Sequence, residues 1–304
     1  INGKILSLEE KWQYLAPFWE NTRNTGYGQA VRLSLSKLFG IDDLNTGTYA
    51  EISFRLADMM KPGVYRKIIN DICGITHVVN DTDFYELSIS EWERADRTLF
   101  LKAGRFQHFS RIFRRSDINR LENIFGINIR SLDGLLEALD MQFGWWEKNG
   151  RITVKFADAY LRDLNYEDTP YNEAERALGK IFSLTESYIY QFGESLNLAE
   201  ARPLQNFIVH RILEKMGKRN IPAIVHTGYQ AGLNHRLELS KASNLTPLFI
   251  KYPNVRFLLL HSGYPWMDET ICLAKQFANV YLNLAWTHII VPEGARGGLS
   301  RMID

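Results

Sequence analysis

The sequence predicts an α/β fold in which parallel strands and helices form a barrel. Short continuous apolar runs recur along the chain, as is typical of parallel strands that are buried on both faces. These runs alternate with helical segments, which favours a parallel sheet with right-handed crossovers. Two consecutive runs end in His-Thr-Gly and His-Ser-Gly, at His226 and His261. Polar residues at the carboxyl ends of such strands are where α/β barrels carry their chemistry.

The order of elements predicts one barrel domain, residues 1–304, rather than two small domains. We expect residues 1–62 to be a helical insertion, opened by a capping box at Ser7, and residues 63–304 to supply the βα units. A second insertion should follow the third strand. The predicted strands are 75–79, 98–103, 151–156, 221–226, 255–261 and 280–286, and the principal predicted helices are 64–73, 131–146, 172–195, 203–217, 237–251 and 267–277.

Composition points to an ordinary globular protein. The chain has 304 residues, of which 45% are hydrophobic and 23% charged, and its formal charge of +1 gives no reason to expect a nucleic-acid or membrane partner. No apolar run approaches the ~20 residues of a membrane span. Cys73 and Cys272 show no metal or disulfide spacing, and their apolar surroundings predict buried thiols. We therefore expect a cytoplasmic protein with a small-molecule substrate, and a homo-oligomer is possible.

His226 and His261 are the leading candidates for chemistry. Imidazole is the commonest metal ligand and a general base near neutral pH. The glycine two residues after each histidine lets the backbone turn away and leaves room for a ligand. The alternative for each is a core histidine that is hydrogen-bonded to a backbone carbonyl. Two such strand ends in succession favour a metal or acid–base site at the mouth of the barrel.

Cationic and aromatic residues near strand ends extend this candidate site. Lys155 interrupts an apolar strand, where it needs a partner or a lowered pKa, unless it snorkels to the surface. Arg105 and Arg162 follow strands and could clamp a carboxylate or phosphate, or form surface ion pairs. The aromatic candidates for contact with a substrate are Tyr160, Tyr264 and Trp286, although Tyr264 could simply pack over the barrel.

Three segments of the sequence resemble a known superfamily. They are Thr153–Phe156, Ile224–Gly228 and Leu259–Gly263. Together they resemble the amidohydrolase superfamily, most closely the amidohydrolase-related branch of metal-dependent hydrolases and decarboxylases. The run Lys155–Leu164 is similar to the fourth-strand region of amidohydrolase domains that stand alone or are fused to glutamine-synthetase-like domains. The resemblance covers about residues 63–304.

This resemblance implies a (β/α)8 TIM-like barrel and assigns roles to several residues. His226 would bind a divalent metal, most simply zinc. His261 would be a catalytic acid–base group or a ligand of a second metal. Lys155 would bridge two metals when carboxylated, or face the substrate. The family's first strand also carries a His-x-His pair, and its last strand a metal-binding Asp. The sequence contains no His-x-His, and Asp304 ends a predicted helix. Either this chain lacks the first and last strands of the barrel, which is the interpretation we favour, or its metal site is incomplete.

The leading functional hypothesis is a metal-dependent hydrolase. A metal-activated water would cleave a C–N or C–O bond in a small anionic substrate. The same barrel mouth supports decarboxylation. A non-catalytic barrel domain of a larger protein is the alternative from another class.

Overall fold

The computed structural model describes residues 5–81, 96–185 and 193–304, and its central feature is a parallel β-sheet. Within these residues six strands pair in sequential order, each parallel to the next. This is the order expected of successive βα units, because each strand lies beside the one that precedes it in the chain. The strands are β1 Val78–Asn80, β2 Phe100–Arg105, β3 Arg151–Phe156, β4 Ala223–Val225, β5 Phe257–Leu259 and β6 Val280–Leu282.

Helices occupy most of the remaining described chain. A π-helical turn, Lys67–Ile72, directly follows the fourth helix, and short 3-10 turns occupy Asp158–Tyr160, Leu237–Ser240, Ala242–Leu245 and Leu260–Gly263. The α-helices are α1 Leu8–Thr22, α2 Gly26–Phe39, α3 Tyr49–Met59, α4 Val64–Arg66, α5 Gln107–Ser110, α6 Arg115–Phe125, α7 Leu132–Lys148, α8 Tyr171–Phe182, α9 Leu198–Lys218, α10 Thr246–Lys251, α11 Met267–Gln276, α12 Thr287–Ile290 and α13 Pro292–Ile303.

The chain divides into two compact units. One, here called the helical unit, consists of Ile1–Thr76 together with Leu284–Asp304. The other, the sheet unit, is His77–Asn283 and contains all six described strands. The sequence had placed the start of the βα units at residue 63, whereas the sheet unit begins at His77.

Helix capping and aromatic packing stabilise the helical unit. Ser7 and Glu10 form the capping box that was predicted for α1, each side chain accepting a hydrogen bond from the other residue's backbone. Trp12 on α1 stacks on Tyr49 of α3 with ring centroids 5.4 Å apart, and Trp19 is also buried. These aromatic rings bury large apolar areas, so they supply much of this unit's small core.

The core of the sheet unit lies between the strands and the helices that pack on them. Gly104 in β2 allows a helix to approach closely, because a Cβ at this position would lie 2.5 Å from the ring of Trp146 on α7. Phe106, just after β2, packs edge-on against the same ring at 4.1 Å between centroids. The indole of Trp146 therefore packs directly against the end of β2.

Most predicted elements are present, and their bounds differ for identifiable reasons. Strand 151–156 is confirmed residue for residue as β3. Strand β2 has the predicted length but begins two residues later, and the other four strands are shorter than predicted. Helix 237–251 is broken into 3-10 turns, and α-helix begins only at Thr246, because Pro247 fits the first turn but not the interior of a helix. Predicted helix 172–195 ends as α8 at Phe182, and its residues 186–192 lie outside the described chain.

Two further expectations concern the surface. The prediction of buried cysteines is wrong, since Cys73 and Cys272 are both exposed and unpaired. Each cysteine follows an apolar run, but its side chain lies on the face of the element that is turned to solvent. The linear sequence does not reveal that face. Among the described residues, none of the helices combines the length and the hydropathy that a membrane crossing requires.

Candidate active site

The candidate residues lie on neighbouring strands at one edge of the sheet. Lys155 is in β3, His226 directly follows β4, and His261 lies two residues after Leu259, where β5 ends. The pairing of β3 with β4 and of β4 with β5 places Phe156 beside Val225 and Val225 beside Leu259. Because parallel strands end at the same edge, the three side chains are brought together as the sequence predicted.

The two histidines form a buried, contacting pair. The centroids of the His226 and His261 rings are 4.8 Å apart at an interplanar angle of 70°, and the residues are only 5% and 6% exposed. His226 Nε2 lies 3.0 Å from the carbonyl oxygen of Tyr229. The pKa of His226 is lowered to about 3. Burial is the largest cause, and the positive charges of Lys155 and His261 add to it. His226 is therefore neutral near pH 7, which is the form that binds metal or accepts a proton.

The backbone at His261 is unusual. His261 and Ser262 adopt φ values of 59° and 46°, in the left-handed region that non-glycine residues rarely occupy. Ser262 compensates by donating from its backbone nitrogen (2.8 Å) and its hydroxyl (3.0 Å) to the carbonyl oxygen of Asn283, just after β6. Such strained residues cost about 1–3 kcal/mol each and cluster at functional sites. This conformation sets the direction in which the His261 ring leaves the sheet.

Asp81 joins the site and was not among the residues singled out from the sequence. It directly follows β1 and accepts a hydrogen bond from Arg105 Nε at 2.6 Å, while its other oxygen lies 3.7 Å from Lys155 Nζ. Burial lowers the pKa of Lys155 to about 8, with Asp81 opposing that shift and Arg105 adding to it. The signal was available, because Asp81 ends an apolar run just as the histidines do.

Tyr160 lies against His226, whose ring also contacts that of His261. Its ring centroid is 4.6 Å from that of His226 and 5.1 Å from that of His235. Its hydroxyl accepts a hydrogen bond from the backbone nitrogen of Ala231 at 3.2 Å, and Gln230 Nε2 donates to Ala159 O at 2.5 Å. These bonds tie the loop after β4 to the turn after β3, so His235 is carried to the same place.

Three other candidates lie elsewhere or are engaged. Arg162 is 1% exposed and donates to Gln205 Oε1 at 3.2 Å and to Asn206 Oδ1 at 2.7 Å, so its guanidinium is held in the core. Tyr264 is half-buried, and its backbone nitrogen donates to His261 O at 3.0 Å. Trp286 belongs to the helical unit, where its indole nitrogen donates to the hydroxyl of Tyr27.

The structure explains why glycine occupies position 228, two residues after His226. Its φ is +70°, and a Cβ here would lie 2.3 Å from the carbonyl oxygen of Tyr264. The loops after β4 and β5 therefore approach so closely that only glycine fits between them. This contact holds the two histidine-bearing loops together.

The described side chains make an incomplete metal site. His226 and His261 can supply two nitrogen ligands, and the neutral state of His226 suits that role. Nowhere in residues 5–81, 96–185 and 193–304 do three or more His, Cys, Asp or Glu side chains gather in a way that could hold a metal ion. Catalytic zinc usually has three protein ligands. The pair therefore falls short of a full catalytic ligand set.

Comparison with known proteins gives a match to one family. Residues 154–304 match the sequence model of the family described as Amidohydrolase. This part of the chain is similar to the amidohydrolase family. It contains Lys155, His226 and His261, so the resemblance recognised from the strand-end motifs is confirmed. Protein fluG of Emericella nidulans is 31% identical over 155 residues, which make up 49% of this chain and 17% of that protein.

Solved structures agree on the fold of the chain. Uronate isomerase of Thermotoga maritima superposes with a TM-score of 0.76 at 18% identity, covering 100% of this chain and 69% of that one. A candidate metal-dependent hydrolase of Lactobacillus casei gives a TM-score of 0.67 at 15% identity, covering 94% and 69%. At such identities the likeness shows the fold alone. The six parallel strands are consistent with a TIM-like barrel.

Proposed function

We propose that the chain is part of a metal-dependent hydrolase that cleaves a C–N or C–O bond in a small anionic substrate. The single observation that carries the proposal is the buried pair His226 and His261 at adjacent strand ends, 4.8 Å between ring centroids. The similarity to the amidohydrolase family supports the same chemistry. We further propose that β1 to β6 correspond to the second to seventh strands of the eight-stranded barrel and that the protein acts in the cytoplasm.

Each side chain of the site has a role that follows from its surroundings. His226 and His261 would hold the divalent ion, and zinc suits a nitrogen-rich site. A metal bound there would lower the pKa of water and polarise the scissile bond. His226 stays neutral because burial lowers its pKa to about 3. His261 would alternatively move a proton to or from the reacting group, since its ring lies beside that of His226.

The cationic side of the site would bind the substrate. Arg105 and Lys155 flank Asp81 beside the histidine pair, and both bear positive charge that an anionic substrate could engage. Asp81 lies 34% exposed between them, so it fixes their positions and offsets part of their charge. A carboxylate that displaced Asp81 from Arg105 could accept a bidentate pair of hydrogen bonds. The ring of Tyr160 would bound the pocket on the side of His226.

The experiment is a joint measurement of metal content and hydrolysis in the full-length protein. Purified wild type should contain zinc or another divalent ion. A panel of small anionic amides and esters would first be screened for hydrolysis, and chelation should abolish hydrolysis of every compound that the protein cleaves. Restoring the ion should restore the rate. An enzyme that keeps its full rate after complete removal of metal contradicts the proposal. So does a protein that binds no divalent ion at all.

A further inference from the structure

The hydrogen bond of the His226 ring defines which of its nitrogens carries hydrogen. Nε2 lies 3.0 Å from the carbonyl oxygen of Tyr229. A carbonyl oxygen can only accept, so Nε2 is the donor, and in the neutral ring the lone pair then lies on Nδ1. Nδ1 is therefore the nitrogen that can bind a metal ion or accept a proton. The position of the Tyr229 carbonyl thus decides which atom of this histidine is chemically available.

The Tyr229 carbonyl belongs to the peptide that joins Tyr229 to Gln230, and the loop is fixed on the side that precedes it. Gly228 donates from its backbone nitrogen to Ser240 O at 2.9 Å and accepts from the Ser240 hydroxyl at 2.6 Å. Ser240 is fully buried, so these bonds are shielded from water. They act one residue before the carbonyl, and the orientation of its peptide therefore also depends on the residues that follow.

Gln230 supplies the attachment on the other side of this peptide. Its side chain is 5% exposed, and its Nε2 donates at 2.5 Å to Ala159 O, in the 3-10 turn after β3. Next to it, the backbone nitrogen of Ala231 donates to the hydroxyl of Tyr160 in the same turn at 3.2 Å. Gln230 and Ala159 are 71 positions apart in the sequence, so their bond ties the loop after β4 to the end of the neighbouring strand.

Packing alone does not account for a glutamine at position 230. The Oε1 atom of Gln230 is buried and has no hydrogen-bond partner among the described residues. A buried acceptor that is left unsatisfied destabilises the folded protein. A methionine of similar length would fill the same space without that loss. The amide is therefore best explained by the bond that its nitrogen makes to Ala159.

We propose that Gln230 is a positioning residue of the candidate active site. Through its bond to Ala159 it holds the peptide that presents the Tyr229 carbonyl, and that carbonyl holds the His226 ring with hydrogen on Nε2 and the lone pair on Nδ1. Outer hydrogen bonds of this kind orient the histidines of metal sites and fix their tautomer. This role rests on the proposed function, since it acts through His226, but it can be measured without metal or substrate, so the two proposals can fail separately.

The test is NMR spectroscopy of the full-length protein with isotopically labelled histidine nitrogens, freed of metal by chelation, at about pH 7.5. The chemical shifts of the two ring nitrogens should place the hydrogen of wild-type His226 on Nε2, and the spectrum of His226→Gln would assign these signals. This hydrogen should exchange slowly with water, because it is buried and hydrogen-bonded. In Gln230→Met it should exchange about tenfold faster, the ratio that corresponds to one net hydrogen bond.

Two controls make the result specific to the ring of His226. The backbone nitrogen of His226 donates to Phe156 O at 2.9 Å, and its hydrogen should keep the wild-type exchange rate in Gln230→Met, since β4 remains paired with β3. Gln142→Met alters another buried glutamine, whose Oε1 lies 3.1 Å from His108 Nε2. It should leave both His226 signals unchanged.

Gln230→Asn provides a second, milder variant, because it keeps the amide on a side chain that is one methylene shorter. Its Nε2 hydrogen on His226 should also exchange faster, and this variant decides the matter if circular dichroism shows that Gln230→Met does not fold. Hydrogen on Nδ1 of wild-type His226, or on both nitrogens, overturns the proposal. So does a wild-type exchange rate in the folded variants, or an equal acceleration in Gln142→Met. A protein that shows the expected exchange but binds no divalent ion contradicts the proposed function alone.

Discussion

Asp81 Oδ2 lies 3.7 Å from Lys155 Nζ, so a carboxylate from the end of β1 reaches a lysine that is two strands away in the sheet. The carboxylate raises the pKa of Lys155, while the larger effect of burial lowers it to about 8. The same carboxylate binds Arg105 Nε at 2.6 Å. The charge state of this side of the site therefore depends on one residue, Asp81.

Replacing Asp81 by Asn should lower the pKa of Lys155 further below about 8, because burial and the charge of Arg105 would act unopposed. NMR titration of lysine side chains labelled at Cε would measure it, with Lys155→Met to assign the signal. Asp163→Asn, which removes a carboxylate paired with Arg202, is the matched control and should leave the titration of Lys155 unchanged. A Lys155 pKa that stays the same or rises in Asp81→Asn would show that the pair does not form.

Loss of His226 should reduce the metal content of the full-length protein more than loss of His261. The family resemblance gives His226 the role of primary ligand, and burial keeps its ring neutral and able to coordinate. Metal analysis by plasma emission on His226→Ala and His261→Ala is the measurement. His288→Ala, at an exposed position, serves as control. Full metal occupancy in a folded His226→Ala protein would remove this residue as a ligand.

Stability should fall as the pH is lowered through about 6.5, and His210 should account for part of the loss. His210 is 2% exposed, with Nδ1 2.6 Å from the hydroxyl of Tyr252, and burial lowers its pKa below the ordinary 6.5. Below about 6.5 the unfolded chain binds a proton that the folded chain excludes, so the free energy of unfolding decreases. His226 acts in the same direction, since its pKa is lowered to about 3.

Urea unfolding at several pH values between about 7.5 and 5 would measure that slope. In His210→Gln the decrease in the free energy of unfolding should be smaller than in wild type, whatever the variant's stability at the upper pH. His288→Gln, an exposed substitution, should keep the wild-type slope. An unchanged slope in His210→Gln would mean that this histidine titrates alike in the folded and unfolded chain.

Asp158→Ala should destabilise the sheet unit by about 3–5 kcal/mol, the cost of removing one partner from a buried ion pair. Asp158 is 1% exposed, whereas Arg111 retains 24% exposure, so the lower part of that range is expected. Asp140→Ala breaks a pair with Lys215 whose carboxylate is 58% exposed, and its effect should stay within about 0.5 kcal/mol. Urea unfolding of both variants makes the comparison. Equal effects would show that burial does not strengthen the pair of Asp158 and Arg111.

Gly104→Ala should destabilise by about 1–3 kcal/mol, because the added methyl group overlaps the ring of Trp146. Gly144→Ala is its counterpart within α7, where an added Cβ meets nothing within 4 Å. Alanine is favoured over glycine inside a helix, so this change should stabilise by about 0.5–1 kcal/mol. Thermal and urea unfolding would measure both. A neutral Gly104→Ala would mean that the indole can shift away from β2.

The sequence alone determined the class of fold, the strands and two of the site's central residues. The bounds of β3 were predicted residue for residue, because Gly150, with a φ of 65°, ends the preceding segment and a 3-10 turn follows the strand. The His-x-Gly endings identified His226 and His261, since strand-end placement is a local feature. The family resemblance followed from the same motifs.

Only the tertiary structure decided which side chains meet. Asp81 and Lys155 are 74 positions apart in the sequence, and their contact depends on the pairing of β1, β2 and β3. Arg162 looked equivalent to Arg105 in the sequence, yet Gln205 and Asn206 on α9 hold it in the core. Such outcomes depend on how elements distant in sequence pack together, and local propensity carries no information about that packing.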